Sequence, residues 1–179
     1  MIFMSQSGLI DAVRDAPHDA TREADWDAWY IEHLRIMVTV PGIDSAQRFR
    51  TDSPGHPPSL AMYTIDSAAV FADPYYQSIR GMGEWAALIA RQHYKRNLFD
   101  GLRSAPAIAK GSVLLIEDHT DPGPAEVSTG RTWLRCVGLD QTTAFRALGV
   151  ATEGDLARWA GPDIAQYYPV TDRYAKVSS

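Results

Sequence analysis

The chain has 179 residues, 45% of them hydrophobic and 22% charged, a balance that suits one ordinary globular domain and excludes a disordered tail or a low-complexity repeat. Its 17 Lys and Arg stand against 22 Asp and Glu, a net charge of −5, which argues against a nucleic-acid partner. The single cysteine, Cys136, excludes an intrachain disulfide and a thiolate metal cluster within one chain, and predicts a reducing compartment.

Met1 to Ile10 has no basic leader, and Ser5, Gln6, Ser7 and Gly8 break its apolar residues, so no signal peptide is expected. No other segment approaches the roughly 20 consecutive apolar residues that a bilayer requires, and a cytoplasmic chain with no membrane partner is expected. Ile2-Phe3-Met4 starts a strand, and residues 15–19 read as a turn. Thr21 is placed to cap a helix, with Glu23 near its positive end. From Trp26 onward, Trp26, Trp29, Tyr30, His33, Ile36 and Met37 recur at three- and four-residue steps, which predicts an amphipathic helix stopped by Pro41-Gly42.

Ile43 to Arg50 alternates, with Ala46, Arg48 and Arg50 on one face and Ile43, Ser45, Gln47 and Phe49 on the other, as a strand requires. The Gly- and Pro-containing stretch 53–58 then turns the chain, and Leu60 to Ile65 is the returning strand of a hairpin. Asp66 or Ser67 caps a short helix that Pro74 interrupts or restarts, and a longer helix is expected from Glu84, carrying Trp85, Leu88, Ile89 and the basic group Arg91, His93, Lys95 and Arg96. The apolar run Ser112 to Glu117 is a buried strand.

This order predicts an α+β, ferredoxin-like βαββαβ domain over residues 1–120, with helices on one face of its sheet and the other face covered by a second copy in a homodimer. Asp121-Pro122-Gly123-Pro124 marks a junction to a C-terminal extension, residues 121–179, packed on the same domain. It holds a strand candidate at Thr132–Val137, a short helix from Thr152 to Gly161 and strand character from Ala165 to Val177. A faint echo of residues 2–11 in 132–140, and of 46–50 in 171–174, raises the alternative of a degenerate second half-repeat closing a pseudo-dimer within one chain.

Three residue groups carry candidate chemistry. Helical spacing puts the His33 imidazole one turn beyond Trp29 and Tyr30, and histidine is the side chain most readily poised for proton transfer near neutral pH. A core histidine bonded to a backbone carbonyl is the alternative. Arg48 and Arg50 share a strand face, with Arg80, Arg91 and Arg96 further on, and a planar guanidinium grips a carboxylate or enolate in bidentate fashion. Surface salt bridging to Asp44, Asp52 or Glu84 would explain these arginines equally. Trp26, Trp29, Tyr63, Tyr75, Tyr76 and Trp85 would wall a flat ligand or fill the core, and the Tyr63 hydroxyl is suited to an oxyanion. His93 and His119 are further proton-transfer candidates. Dinucleotide, P-loop and serine-hydrolase signatures are absent, and no close histidine pair suggests a metal.

The string Trp29-Tyr30-x-x-His33-Leu34, followed by Val40-Pro41-Gly42-Ile43 and Ala46-x-Arg48-Phe49-Arg50, resembles the EthD-like branch of the dimeric α+β barrel superfamily over roughly residues 1–118. Arg35 stands where many members have proline, which leaves the helix unbroken. The resemblance implies that His33 is the general acid/base of a pocket between helix and sheet. That superfamily includes isomerases, cyclases, cofactor-free monooxygenases, dehydratases and haem enzymes, so the likeness does not name the reaction. The leading expectation is an enzyme without metal or organic cofactor, acting on an unsaturated carboxylate or phenolic compound in aromatic catabolism or polyketide tailoring. His33 would move the proton, Arg48 and Arg50 hold the anion, Tyr30 or Tyr63 stabilise the enolate, and Trp26, Trp29, Arg80 and Trp85 line the ligand. Double-bond isomerisation comes first, with hydrolysis or dehydration (hydrolase or lyase chemistry) close behind. Cofactor-free oxygenation of a phenol and a non-catalytic binding module are the alternatives.

Overall fold

The first strand, β1 (Ile2–Ser7), is buried at every residue, which requires packed material on both faces of the sheet. Its alternating side chains enter two cores: Ile2 and Met4 go to one, Phe3 to the other. The structure, a computed structural model, describes residues 1–10, 19–121, 130–159 and 161–176, with backbone alone at 19–21 and 158. The expected turn over 15–18, the Thr21 side chain and the Pro122–Pro124 junction lie outside the described residues.

The helix α1 (Asp19–Met37) lies over the outer face of the sheet, with Trp26, Tyr30, Leu34 and Met37 buried beneath it. Ile36, expected on that stripe, is 42% exposed, because the buried row steps from Leu34 to Met37 and leaves it to one side. Gly42 reverses the chain in a left-handed conformation, φ 84°, where a Cβ would sit 2.7 Å from Val70 Cγ2. The strand β2 (Ile43–Arg50) follows. A register shift between Ile43 and Ser45 explains why Ile43 joins the helix-side core with Ala46, although simple alternation puts them on opposite faces.

β1 pairs antiparallel with β3 (Ser59–Ile65) and β4 (Lys95–Asp100), and β2 pairs with β3. The row is therefore β2-β3-β1-β4. A second row follows the same order: β5 (Ser112–His119) pairs with β7 (Phe145–Thr152) and β8 (Ile164–Pro169), and β6 (Thr132–Leu139) pairs with β7. Pairings β4–β6 and β2–β8 join the rows, and the two-residue β9 (Tyr174–Ala175) adds to β2. Strands from both sides of residue 120 thus build one closed, eight-stranded antiparallel barrel, and closure leaves neither row with a free edge.

This corrects the expected fold. A ferredoxin-like βαββαβ unit of a dimeric α+β barrel takes four strands from each of two copies, whereas here eight strands of one chain close the barrel and the molecule is mostly sheet. Two local misreadings led there. The expected helix over 84–96 is two short 3-10 segments, Gly83–Leu88 and Arg91–His93, followed by β4. Its three- and four-residue apolar spacing is real, but hydrogen bonding to the open edge of β1 draws residues 95–100 into the sheet. β7 was not expected at all, since Gly149 and the Ala-rich run 147–151 weaken its strand signal. The sequence echo is also out of place: the counterpart of β1 in the second row is β5, not residues 132–140.

Interior side chains fill the barrel, as its strand number demands. Phe49, Leu60, Phe99, Leu114, Leu134 and Tyr167 meet there. At one end Arg146 is fully buried. Asp118 accepts from its Nε at 2.6 Å and its Nη2 at 2.8 Å, and Gln6 Oε1 accepts from Nη2 at 3.0 Å. The network continues from Gln6 to the Tyr167 hydroxyl at 3.1 Å, and from there to the Pro57 carbonyl at 2.7 Å. Removing the carboxylate strands a cation in the barrel. Asp118→Ala should therefore cost about 3 kcal/mol in urea unfolding, and the double variant Asp118→Ala with Arg146→Met should recover most of it. Equal destabilisation of the single and double variants would contradict this role.

Candidate active site

A cavity of about 420 Å³ lies on the outer face of the first row, under α1. Tyr30, His33 and Met37 descend from α1 at helical spacing, while Phe3 and Ser5 from β1 and Tyr63 from β3 form the floor. Tyr94 and Arg96 lie at the start of β4. The last wall is α2 (Pro74–Ile79), capped by Asp73, and the turn after it. Tyr76, Gln77, Arg80 and Met82 come from that segment, and Gly81 at φ 99° allows the reversal.

His33 is partly buried, with its ring stacked on Trp29 at 4.8 Å and 10° and meeting the edge of Tyr30 at 6.0 Å. Among the described residues it has neither a hydrogen-bond nor an ion-pair partner, so the carbonyl bond that a core histidine would make is missing. Desolvation with no compensating charge lowers its pKa to about 4. The imidazole is consequently neutral near pH 7 and available to accept a proton.

The phenols around it behave in the opposite sense. Burial raises the pKa of Tyr30, against the opposing charge of Arg48. Burial lifts Tyr63 well above the usual tyrosine value, and its ring stacks on Phe3 at 5.2 Å. Tyr76 is also raised by burial, with Arg96 and Arg80 opposing. All three hydroxyls therefore remain protonated near neutral pH and are hydrogen-bond donors.

Of the residues expected at the site, Tyr30, His33, Tyr63, Tyr76, Arg80 and Arg96 meet on this cavity. Trp29 stands behind His33, and Trp85 is buried in the helix-side core. Arg48 is fully buried and does not reach the cavity: Nη1 donates to Asp27 at 2.5 Å, and the guanidinium lies 4.3 Å from the Tyr30 ring and 4.7 Å from that of Trp26. Arg50 pairs with Asp27 at 2.9 Å and Glu23 at 3.3 Å, and with Trp26 it lines a separate cleft of about 500 Å³ that also holds His56 and His93. Tyr75 is exposed and bonded to Thr39. His119 pairs with Glu117 at 3.1 Å, away from the cavity. Sequence reasoning missed Phe3, Ser5 and Tyr94 and placed Arg96 on a helix. The period-2 pattern through Tyr94, Arg96 and Leu98 was the available signal.

No family model matches the sequence, and no curated protein matches it. Among solved structures the chain is similar to one described as an anthrone oxidase-like protein, with a TM-score of 0.57 and 12% identity over 99% of this chain and 93% of that one. At that identity the likeness is one of fold, and it runs through the whole barrel. Among the described residues, no helix is long and apolar enough to cross a membrane.

The His33 environment gives stability a defined pH dependence. The unfolded imidazole titrates near 6.5 and the folded one near 4, so between these values the unfolded chain binds more protons. The contribution is complete above about pH 6.5 and declines as the pH falls toward 4. Between pH 7 and 4.5 the wild type should lose about 2 kcal/mol more than His33→Gln does. Parallel stability curves for the two proteins would rule out a desolvated imidazole.

Proposed function

We propose that the chain is a small-molecule enzyme in which neutral His33 removes a proton from an enolisable phenolic compound, and that the resulting carbanion is oxidised by O2. The observation that carries this reading is one desolvated imidazole, unpaired among the described residues, on a cavity whose other polar groups include three protonated phenols. A base of this kind acts on a carbon acid only if the anion formed is stabilised as it forms. Tyr30, Tyr63 and Tyr76 are suited to that, donating to the oxygen that becomes an enolate as the proton moves to His33. Phe3 and the tyrosine rings offer flat surface to a conjugated ligand.

The remaining steps need only the bound carbanion and O2. Carbon bonds to one oxygen atom, and the imidazolium returns its proton to the other, which gives a hydroperoxide. Loss of water then breaks the O–O bond and the second C–H bond, so that a CH2 group becomes a ketone while O2 is reduced to the ketone oxygen and water. The description of the structural neighbour as anthrone oxidase-like supports this outcome, because an anthrone is an aryl ketone with such a CH2 group. The double-bond isomerisation expected from the sequence shares the first step and differs in returning the proton to another carbon.

Anthrone itself is the probe. In air the protein should form anthraquinone above the uncatalysed rate, lose that activity under anaerobic conditions, and drop by about 10²-fold or more in kcat with His33→Ala. Turnover that persists without O2 would favour isomerisation or hydrolysis, and a fully active His33→Ala protein would remove the base from the scheme.

A further inference from the structure

We propose that the substrate carries an acidic group besides its enolisable ketone, and that Arg80 and Arg96 bind that group at the cavity wall, with Asp140 of the second strand row positioning Arg96. This deepens the function proposed above and rests on it for the aromatic part of the ligand.

The distribution of charge is the first observation. The chain carries a net charge of −5, yet the residues lining the cavity include two arginines and no carboxylate. Both side chains line the same cavity as Tyr76, and both charges oppose the upward shift of its phenol. Arg80 follows α2 directly, is exposed, and has no ion-pair partner among the described residues. A neutral polycyclic ligand would need neither group, whereas a carboxylate is matched by planar donors.

The second observation is that Arg96 is held in place. Asp140 accepts from its Nη2 at 2.9 Å, from its Nε at 3.4 Å and from its backbone N–H at 2.8 Å, while the Asp140 N–H donates to the Arg96 carbonyl at 2.8 Å. This grip uses one edge of the guanidinium and leaves Nη1 without a protein partner among the described residues. The turn that presents Asp140 has left-handed backbone on both sides of it, Leu139 at φ 65° and Gln141 at φ 47°. Neither is glycine, so the turn holds conformations that cost energy. A turn after β6, in the far half of the chain, thus fixes the direction of a cavity arginine.

Calorimetric binding of two neutral-core probes, anthraquinone-2-carboxylate and anthraquinone-2-carboxamide, tests the proposal without requiring turnover. The wild type should bind the acid at least tenfold more tightly than the amide, and the preference should shrink as salt rises from 20 to 300 mM. Arg80→Gln and Arg96→Gln should each reduce the preference several-fold, and Arg80→Gln should leave amide affinity and thermal stability near wild type. Equal affinity of the wild type for both probes would overturn the acidic-group proposal and leave the proposed function standing. Binding of neither probe would overturn both. If Arg96→Gln unfolds, Arg80→Gln alone decides the matter, because its side chain is exposed.

Discussion

One buried cation sets the geometry of the site. Arg48 rises from β2 with its guanidinium against the Trp26 and Tyr30 rings and its charge met by Asp27 of the same helix. Contacts between a desolvated guanidinium and two rings are worth about 2 kcal/mol each, and breaking a buried ion pair costs about 3–5 kcal/mol. These terms fix both the height and the rotation of α1 over the sheet. His33 stands one turn beyond Trp29, so that rotation directs its imidazole toward the cavity. The arginine in the helix-turn-strand string therefore acts on the site through the helix, and the cations facing a ligand are Arg80 and Arg96.

Barrel closure determines where a cavity can form. Eight strands leave an interior that side chains fill, and Arg146, Gln6 and Tyr167 complete it with a bonded polar network. Space for a ligand then remains outside the barrel, between sheet and covering elements. The two rows differ in that cover. α1 and α2 span the first row, whereas the second has the short 3-10 segment Glu153–Trp159, packed through Leu156 and Trp159 on Val113 and Leu115. Long helix and cavity thus occur together on the first row, and the second row supports the site by lending Asp140 to Arg96.

Much of the first row was legible in the sequence. The Trp26-to-Met37 periodicity, the Pro41-Gly42 stop and the alternation in Ile43–Arg50 are strong local signals, and they bring His33, Tyr30 and Tyr63 to one face. What was not legible depends on partners distant in the chain. Residues 95–100 form a strand because β1 offers them an edge, and the 145–152 segment becomes β7 because β5 and β6 flank it. Local propensity does not report such edges. The role of Arg48 was misread for a related reason: whether an arginine faces a ligand or an aspartate is decided by the rotation of the opposing helix. Asp140 was invisible as a positioning residue because its partner lies 44 residues earlier in the sequence.

The central claim is that His33 is neutral in the free protein and takes a proton from the ligand. Nitrogen-15 NMR of the histidine side chains, with His33 assigned by its loss in His33→Gln, tests this most directly. The account predicts a neutral imidazole at pH 7 that becomes imidazolium when a stable, acidic phenolic ketone fills the cavity. An imidazolium already present in the free protein, or a resonance that the ligand leaves unchanged, would contradict it.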